Sequence, residues 1–194
     1  MNAASQRGMT TRTLAVRAIL TALVVVLQCM GQFIRLGMFS ISLVLIPIVI
    51  GAAIGGTKIS SWLGAVFGVV VLCTDAAAFL SISIPGTIVT VLAKGIACGW
   101  AAGTVFRLLE KKNRYLATMA AAIVCPLVNT GVFLLGCVLF FMDTIEAWGI
   151  AMGYASTLEY VFLGLVGGNF LVEMASNIIL SPVIIRVLNV VKKQ

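Results

Sequence analysis

Glu159 to Val191 reads EYVFLGLVGGNFLVEMASNIILSPVIIRVLNVV, long and apolar enough to cross a bilayer as one helix. Three polar residues interrupt it: Asn169, Glu173 and Asn177. Their i, i+4, i+8 spacing puts all three on one helical face. A carboxylate in lipid costs roughly 2.5 to 3.5 kcal/mol on insertion scales, so it normally faces a bundle interior or a wet cavity and has a partner there. Something elsewhere in the chain has to meet this polar face.

The surroundings are strongly apolar. Of 194 residues, 61% are hydrophobic and 10% charged, and the mean hydropathy is +1.16. A soluble domain carries about 25% charged residues, so this is an integral membrane protein. The apolar runs are continuous rather than alternating, which disfavours a barrel of strands. Helices satisfy their own backbone hydrogen bonds in lipid, so the expected fold is an all-α bundle. The length allows about six spans of ~20 residues and leaves no room for a soluble catalytic domain. Cys29, Cys73, Cys98, Cys125 and Cys137 lie scattered in or beside apolar runs, as packing residues rather than a disulfide framework. The absence of histidine and of a CxxC pair argues against zinc or haem, and no cofactor is expected. A net charge of +7 would suggest nucleic acid for a soluble protein. Here the basic residues fall at span ends, which reads as membrane topology with no nucleic-acid partner.

The expected organisation is a short cytoplasmic tail, residues 1–12, and one six-helix transmembrane domain, residues 13–191. The spans run from Thr13 to about Ile34, Ile41 to about Gly55, Ser60 to about Leu72, Ile84 to about Leu108, Leu116 to about Met142, and Tyr160 to Val190. Arg17 inside the first run, with no clean cleavage site after it, argues against a signal peptide. With both termini in the cytoplasm, every basic residue except Arg35 and Lys94 falls on or near the inner side, as the positive-inside rule requires. Asp75, Asp143, Glu146 and Glu159 then fall outside. The connection from Cys73 to Pro85 folds back over the outer side. The Asp143–Glu159 connection is the longest loop, with Trp148 and Tyr154 as interface anchors or parts of a lid. Small residues recur at i, i+4: Ala18/Ala22, Gly51/Gly55, Gly64/Gly68, Gly95/Gly99, Gly99/Gly103 and Gly164/Gly168. Such pairs let helices approach closely and imply a tight bundle.

Counting back from the inner basic belt locates the chemistry. Lys94 stands thirteen residues from Arg107, Glu173 thirteen from Arg186, and Asn129 fifteen from Arg114. At 1.5 Å per residue all three lie roughly 20 Å from that belt. Asn169 is one turn further out, and Thr90 and Thr87 lie outward of Lys94 on about the same face. Pro126, one turn before Asn129, loosens the backbone there. Three readings stay open, one of them a polar face turned to another subunit. Lys94 and Glu173, capped by Asn129, form a structural ion pair, or these groups line a pocket for a small hydrophilic ligand. Asn177 is deeper and fits a helix–helix hydrogen bond. Arg35 and Asp75 read as solvated loop charges at the outer mouth, and Phe33 and Phe79 as interface or packing residues, with pocket lining as the alternative. No GxSxG, HExxH, Walker A or carboxylate cluster occurs, so no enzyme and no metal site is expected.

Several segments carry a resemblance. ISLVLIPIVIGAAIGG (Ile41–Gly56), WLGAVFGVVVL (Trp62–Leu72), PLVNTGVFLLG (Pro126–Gly136) and the AxxxA pattern of Ala18-Ile-Leu-Thr-Ala22 resemble the substrate-binding S components of energy-coupling factor (ECF) vitamin transporters. The resemblance implies a multi-pass protein of a bacterial or archaeal cell membrane. It would capture a water-soluble vitamin or related micronutrient at the outer face. It would deliver it inward together with a transmembrane coupling subunit and two cytoplasmic ATPases. Ala18 and Ala22 would form the docking face, and Lys94, Thr90, Asn129, Asn169 and Glu173 the ligand site. Span two lacks the acidic, serine-bearing motif of a riboflavin-type member. A lysine among amides suits a carboxylate-bearing vitamin such as pantothenate or a folate. The competing expectations are a self-sufficient ion-driven secondary transporter, working through Lys94 and Glu173, and a non-transporting scaffold.

Overall fold

The computed structural model describes residues 11–33, 35–36, 39–40 and 43–193. Most of the expected tail and the start of the second expected span, Ile41, lie outside the described residues. The first helix, α1, spans Thr11–Gly31. A minimal antiparallel hairpin follows, β1 (Arg35–Leu36) with β2 (Phe39–Ser40). Then come α2 (Leu45–Thr74), the short α3 (Ala77–Leu80), α4 (Ile84–Leu109) and α5 (Arg114–Phe140). The chain ends through α6 (Met142–Ala151), α7 (Thr157–Glu159), a π-helical turn at Tyr160–Leu165, and α8 (Gly167–Lys193).

Among the described residues, four helices are long and apolar enough to cross a membrane, and a fifth crossing results if the two parts of the last helix count as one span bent by 41°. The expected second and third spans form one element, α2, which turns sharply at Gly56 (φ 62°, ψ −154°). This backbone conformation is open to glycine alone. The two arms fold onto each other: a Cβ at Gly51 would stand 2.5 Å from the Leu63 side chain, although a straight helix would separate these residues by about 18 Å. The first arm, Leu45–Gly55, is only about 16 Å long. The Arg107 side chain closes over Gly56 from α4, so the turn lies at the same end of the bundle as the α4–α5 connection with its Lys111, Lys112 and Arg114.

The second arm of α2 runs antiparallel to α4 with almost nothing between the backbones. A Cβ on Gly64 would strike the Gly95 carbonyl, one on Gly95 the Gly64 carbonyl, and one on Gly99 the Ser60 carbonyl. Gly103 meets Thr57, and Gly68 meets the Val91 carbonyl. The small-residue pairs at 64/68, 95/99 and 99/103 are thus the two halves of one seam. Gly164/Gly168 differs: Gly164 faces Tyr160 and Tyr154, while space around Gly168 is open. Around the seam, α1 packs on α2, α5 on α4, and α8 on α5 and α2. Trp62 on α2 donates its indole N–H to Thr21 on α1 at 3.3 Å.

The expected loop Asp143–Glu159 is largely helical. α6 begins directly after Phe141 and packs Ile145 inward. Trp148 and Tyr154 do not point away as interface anchors. Trp148 stacks edge-on against Phe79 (5.6 Å), and Tyr154 lies against Tyr160 (5.3 Å). With Phe133 and Phe141 also on Phe79 (5.7 and 5.0 Å), they form an aromatic cap over one end of the bundle. Phe33 stays 89% exposed.

Changing Gly95 to valine should therefore wedge the seam open against an immovable carbonyl and cost more than about 3 kcal/mol. Gly168→Ala should be neutral or slightly stabilising. Thermal unfolding of the two variants in one detergent measures the contrast; similar melting points would mean that the seam is not a close contact.

Candidate functional site

Beneath the aromatic cap, α1, α2, α4, α5 and α8 leave a cavity between them. Its position follows from local sequence. Ser83 caps α4 by accepting the Gly86 N–H at 3.3 Å, with Pro85 in the first turn. From that start, Thr87, Thr90, Val91 and Lys94 recur at helical spacing and face the cavity together. α5 adds Asn129, Thr130 and Phe133; α8 adds Asn169, Phe170 and Glu173. All five residues expected to bind ligand, Lys94, Thr90, Asn129, Asn169 and Glu173, thus line one space.

The electrostatics of this space are unusual for a packed interior. Thr90, Asn129, Asn169 and Glu173 are all buried, with at most 8% of their surface exposed. The Thr90 hydroxyl and the carbonyl oxygens of the Asn129 and Asn169 side chains find no hydrogen-bond partner among the described residues. Buried polar groups are nearly always paired, and each unpaired one costs about 1–3 kcal/mol. Three around one cavity are what a site for an exchangeable polar guest requires. Lys94 reaches in between two rings, its ammonium 5.7 Å from the centre of Phe67 and 5.2 Å from that of Phe133. Ring faces stabilise a cation by about 0.5–2 kcal/mol. A ring face uses none of an ammonium's three N–H donors in a hydrogen bond.

Other residues fall differently from expectation. Asp75 is not a solvated loop charge: it is half-buried and lines the cavity beside Ala76. Phe79 lines it as well. Arg35 sits in the β hairpin. The Asn177 side chain donates to the Glu173 carbonyl of its own helix at 2.8 Å. Ala18 and Ala22 are exposed on α1, flanked by exposed Leu14, Ile19 and Val26, so no described residue covers that face. Sequence reasoning passed over Gln28, which is 1% exposed and lines the cavity from α1. An amide alone in VVVLQCMG was the available signal, since polar residues inside spans face interiors.

Fold and cavity together define a multi-pass helical membrane protein with a polar chamber between its helices. The family described as ECF transporter, substrate-specific component, matches residues 12–185, and the chain belongs to it. Proteins of this family are substrate-specific subunits of transporters, not enzymes. No curated protein and no solved structure matches the chain significantly.

The unpaired hydroxyl yields a direct test. Thr90→Val keeps the shape and removes a buried group without a partner, so ligand-free protein should melt at the same temperature or somewhat higher. A fall of several degrees would reveal a structural role for the hydroxyl.

Proposed function

We propose that this chain captures a small water-soluble vitamin or related micronutrient in the chamber beneath the aromatic cap. It then releases the solute inward when docked on a transmembrane coupling subunit with two cytoplasmic ATPases. Counting the two arms of α2 separately and the bent last helix once gives six crossings, with both termini at the basic, cytoplasmic end. The chamber then opens toward the outer face of a bacterial or archaeal membrane. The observation that carries the reading is the convergence of three unpaired buried oxygens and one lysine on a single space. Lys94 pairs an anionic group of the ligand. The Asn129 and Asn169 oxygens accept from ligand N–H or O–H groups, and Thr90 adds a further donor or acceptor. Glu173 steadies Lys94 or receives a ligand N–H. A guest that satisfies all of them is selected sharply, because a near-analogue leaves a buried group unpaired.

The exposed alanines support the docking part. Ala18 and Ala22 sit on an outward face of α1 with apolar neighbours, and small side chains allow a partner helix to approach its backbone.

Thermal stabilisation of the purified protein against a panel of vitamins and precursors tests the reading. A true ligand at about 100 times its Kd adds roughly 2.7 kcal/mol. Lys94→Ala should weaken binding of that ligand more than tenfold without affecting membrane insertion, and unchanged affinity would remove Lys94 from the site. Uptake in cells should require a co-expressed coupling subunit and ATPases. Uptake by the chain alone, driven by an ion gradient, would replace this reading with the secondary-transporter one.

A further inference from the structure

The chamber carries charge at two depths. Of the described residues that line it, the ionisable ones are Lys94, Glu173 and Asp75, one ammonium against two carboxylates. The glycine seam measures how far apart Lys94 and Asp75 stand. Gly64 meets Gly95 and Gly68 meets Val91, so four residues outward on α2 match four residues outward on α4. Continued at that rate, the pairing brings Asp75, at the end of α2, level with Ile84, where α4 begins. Ile84 is ten residues outward of Lys94, or about 15 Å along a helix. The Lys94 ammonium lies beside the Phe67 ring, and Phe67 is level with Leu92 on the same count, which leaves roughly 10 Å between the ammonium and the Asp75 carboxylate. Thr87 and Thr90 line the stretch between, and Phe79 and Phe141 line the chamber near its outer end.

Resting on the proposed function, we infer that the solute is dipolar: its anionic group meets Lys94 in the depth of the chamber, and a cationic nitrogen about 10 Å further out meets Asp75 beneath the aromatic cap. An anion by itself is the wrong guest for this lining. It would satisfy one ammonium and bring a third negative charge into a space that holds two carboxylates. Low-dielectric surroundings strengthen that repulsion as much as they strengthen the attraction. A cationic nitrogen on the same solute removes the excess, and the half-buried Asp75 is the carboxylate at the depth where the anion is not. The phenyl rings near it favour a cation over an anion, because ring faces are negative. Exposed Asp143 and Glu146 on α6, at the same end of the bundle, carry the sign that draws a cationic group inward. Between the two charges, the unpaired Thr90 hydroxyl and asparagine oxygens call for N–H or O–H groups in the middle of the solute.

The test titrates oligoglycines into the full chain in phosphatidylcholine nanodiscs and reads affinity by calorimetry. An extended chain advances about 3.5 Å per residue, so triglycine sets its ammonium and carboxylate about 10 Å apart, with amide N–H groups between them. N-acetyldiglycine is the same molecule without the amino group, and triglycine amide is the same molecule without the carboxylate. Triglycine should bind more than about tenfold more tightly than either, and more tightly than diglycine, whose charges stand too close together. Asp75→Asn keeps the shape of the side chain and removes its charge. In that variant the preference for triglycine over N-acetyldiglycine should shrink to within about twofold, while N-acetyldiglycine binds as before or more tightly. Its binding there also reports that the chamber is intact. Equal affinity of the two in the unaltered chain, or a preference that survives Asp75→Asn, overturns the inference and leaves the anion site at Lys94 standing. Triglycine amide binding as tightly as triglycine removes the anionic end and overturns it as well. If no oligoglycine binds and the vitamin panel yields a ligand without a cationic nitrogen, the inference falls and the proposed function stands; if the panel also yields nothing, both fall.

Discussion

The contact of bare backbones between α2 and α4 holds the rest in place. Gly64 and Gly95 lie against each other's carbonyls, with Gly99 on Ser60 and Gly103 on Thr57 continuing the line. In lipid there is no hydrophobic force to bring helices together, so close packing has to supply it. Lys94 is the residue next to Gly95, and Val91 and Leu92 sit beside Gly68. The seam therefore sets where the α4 face presents its cavity residues. Gly136 makes a similar contact further up, lying against the Thr90 side chain with no space for a Cβ. Tight packing on one side of α4 is the condition for an open space on the other.

That open space is held against a cost. Three unpaired oxygens are each unfavourable there, and the burial of Lys94 is offset only in part by its two rings. The seam and the aromatic cap offset this from two directions, below and above. The cap matters because Phe79 contacts Phe133, Phe141 and Trp148 at once. It joins α3, α5 and α6, and covers the chamber with ring edges rather than with water.

Much of this was legible in the sequence, for identifiable reasons. Continuous apolar runs dictate helices, and an i, i+4, i+8 polar set dictates a buried face, which α8 indeed has at Asn169, Glu173 and Asn177. Counting residues from the basic belt brought Lys94, Asn129 and Glu173 to one level, and they line one cavity. What stayed hidden depends on backbone conformation or on partners distant in sequence. Gly56 looks like any other glycine in IGAAIGG, and only its positive φ makes it a turn. The cluster GLVGGN gave no direct sign that the helix would pass through a π turn and bend. Trp148 reads as a membrane anchor until the position of Phe79 is known. Asp75 has the composition of a loop and the location of a site residue.

The glycine seam also has a thermal consequence. Helices in a membrane are already formed when they meet, so the backbone freedom of glycine has been lost before contact. A glycine also has no rotamers left to freeze. The contact of α2 with α4 is thus nearly free of an entropic penalty and weakens little on warming. The cap is the opposite case, since each of its rings and the half-buried Trp148 surrenders side-chain freedom in order to pack. On heating, the molecule loosens from the cap downward, and the chamber loses its cover while its floor and its lysine-bearing wall are still intact.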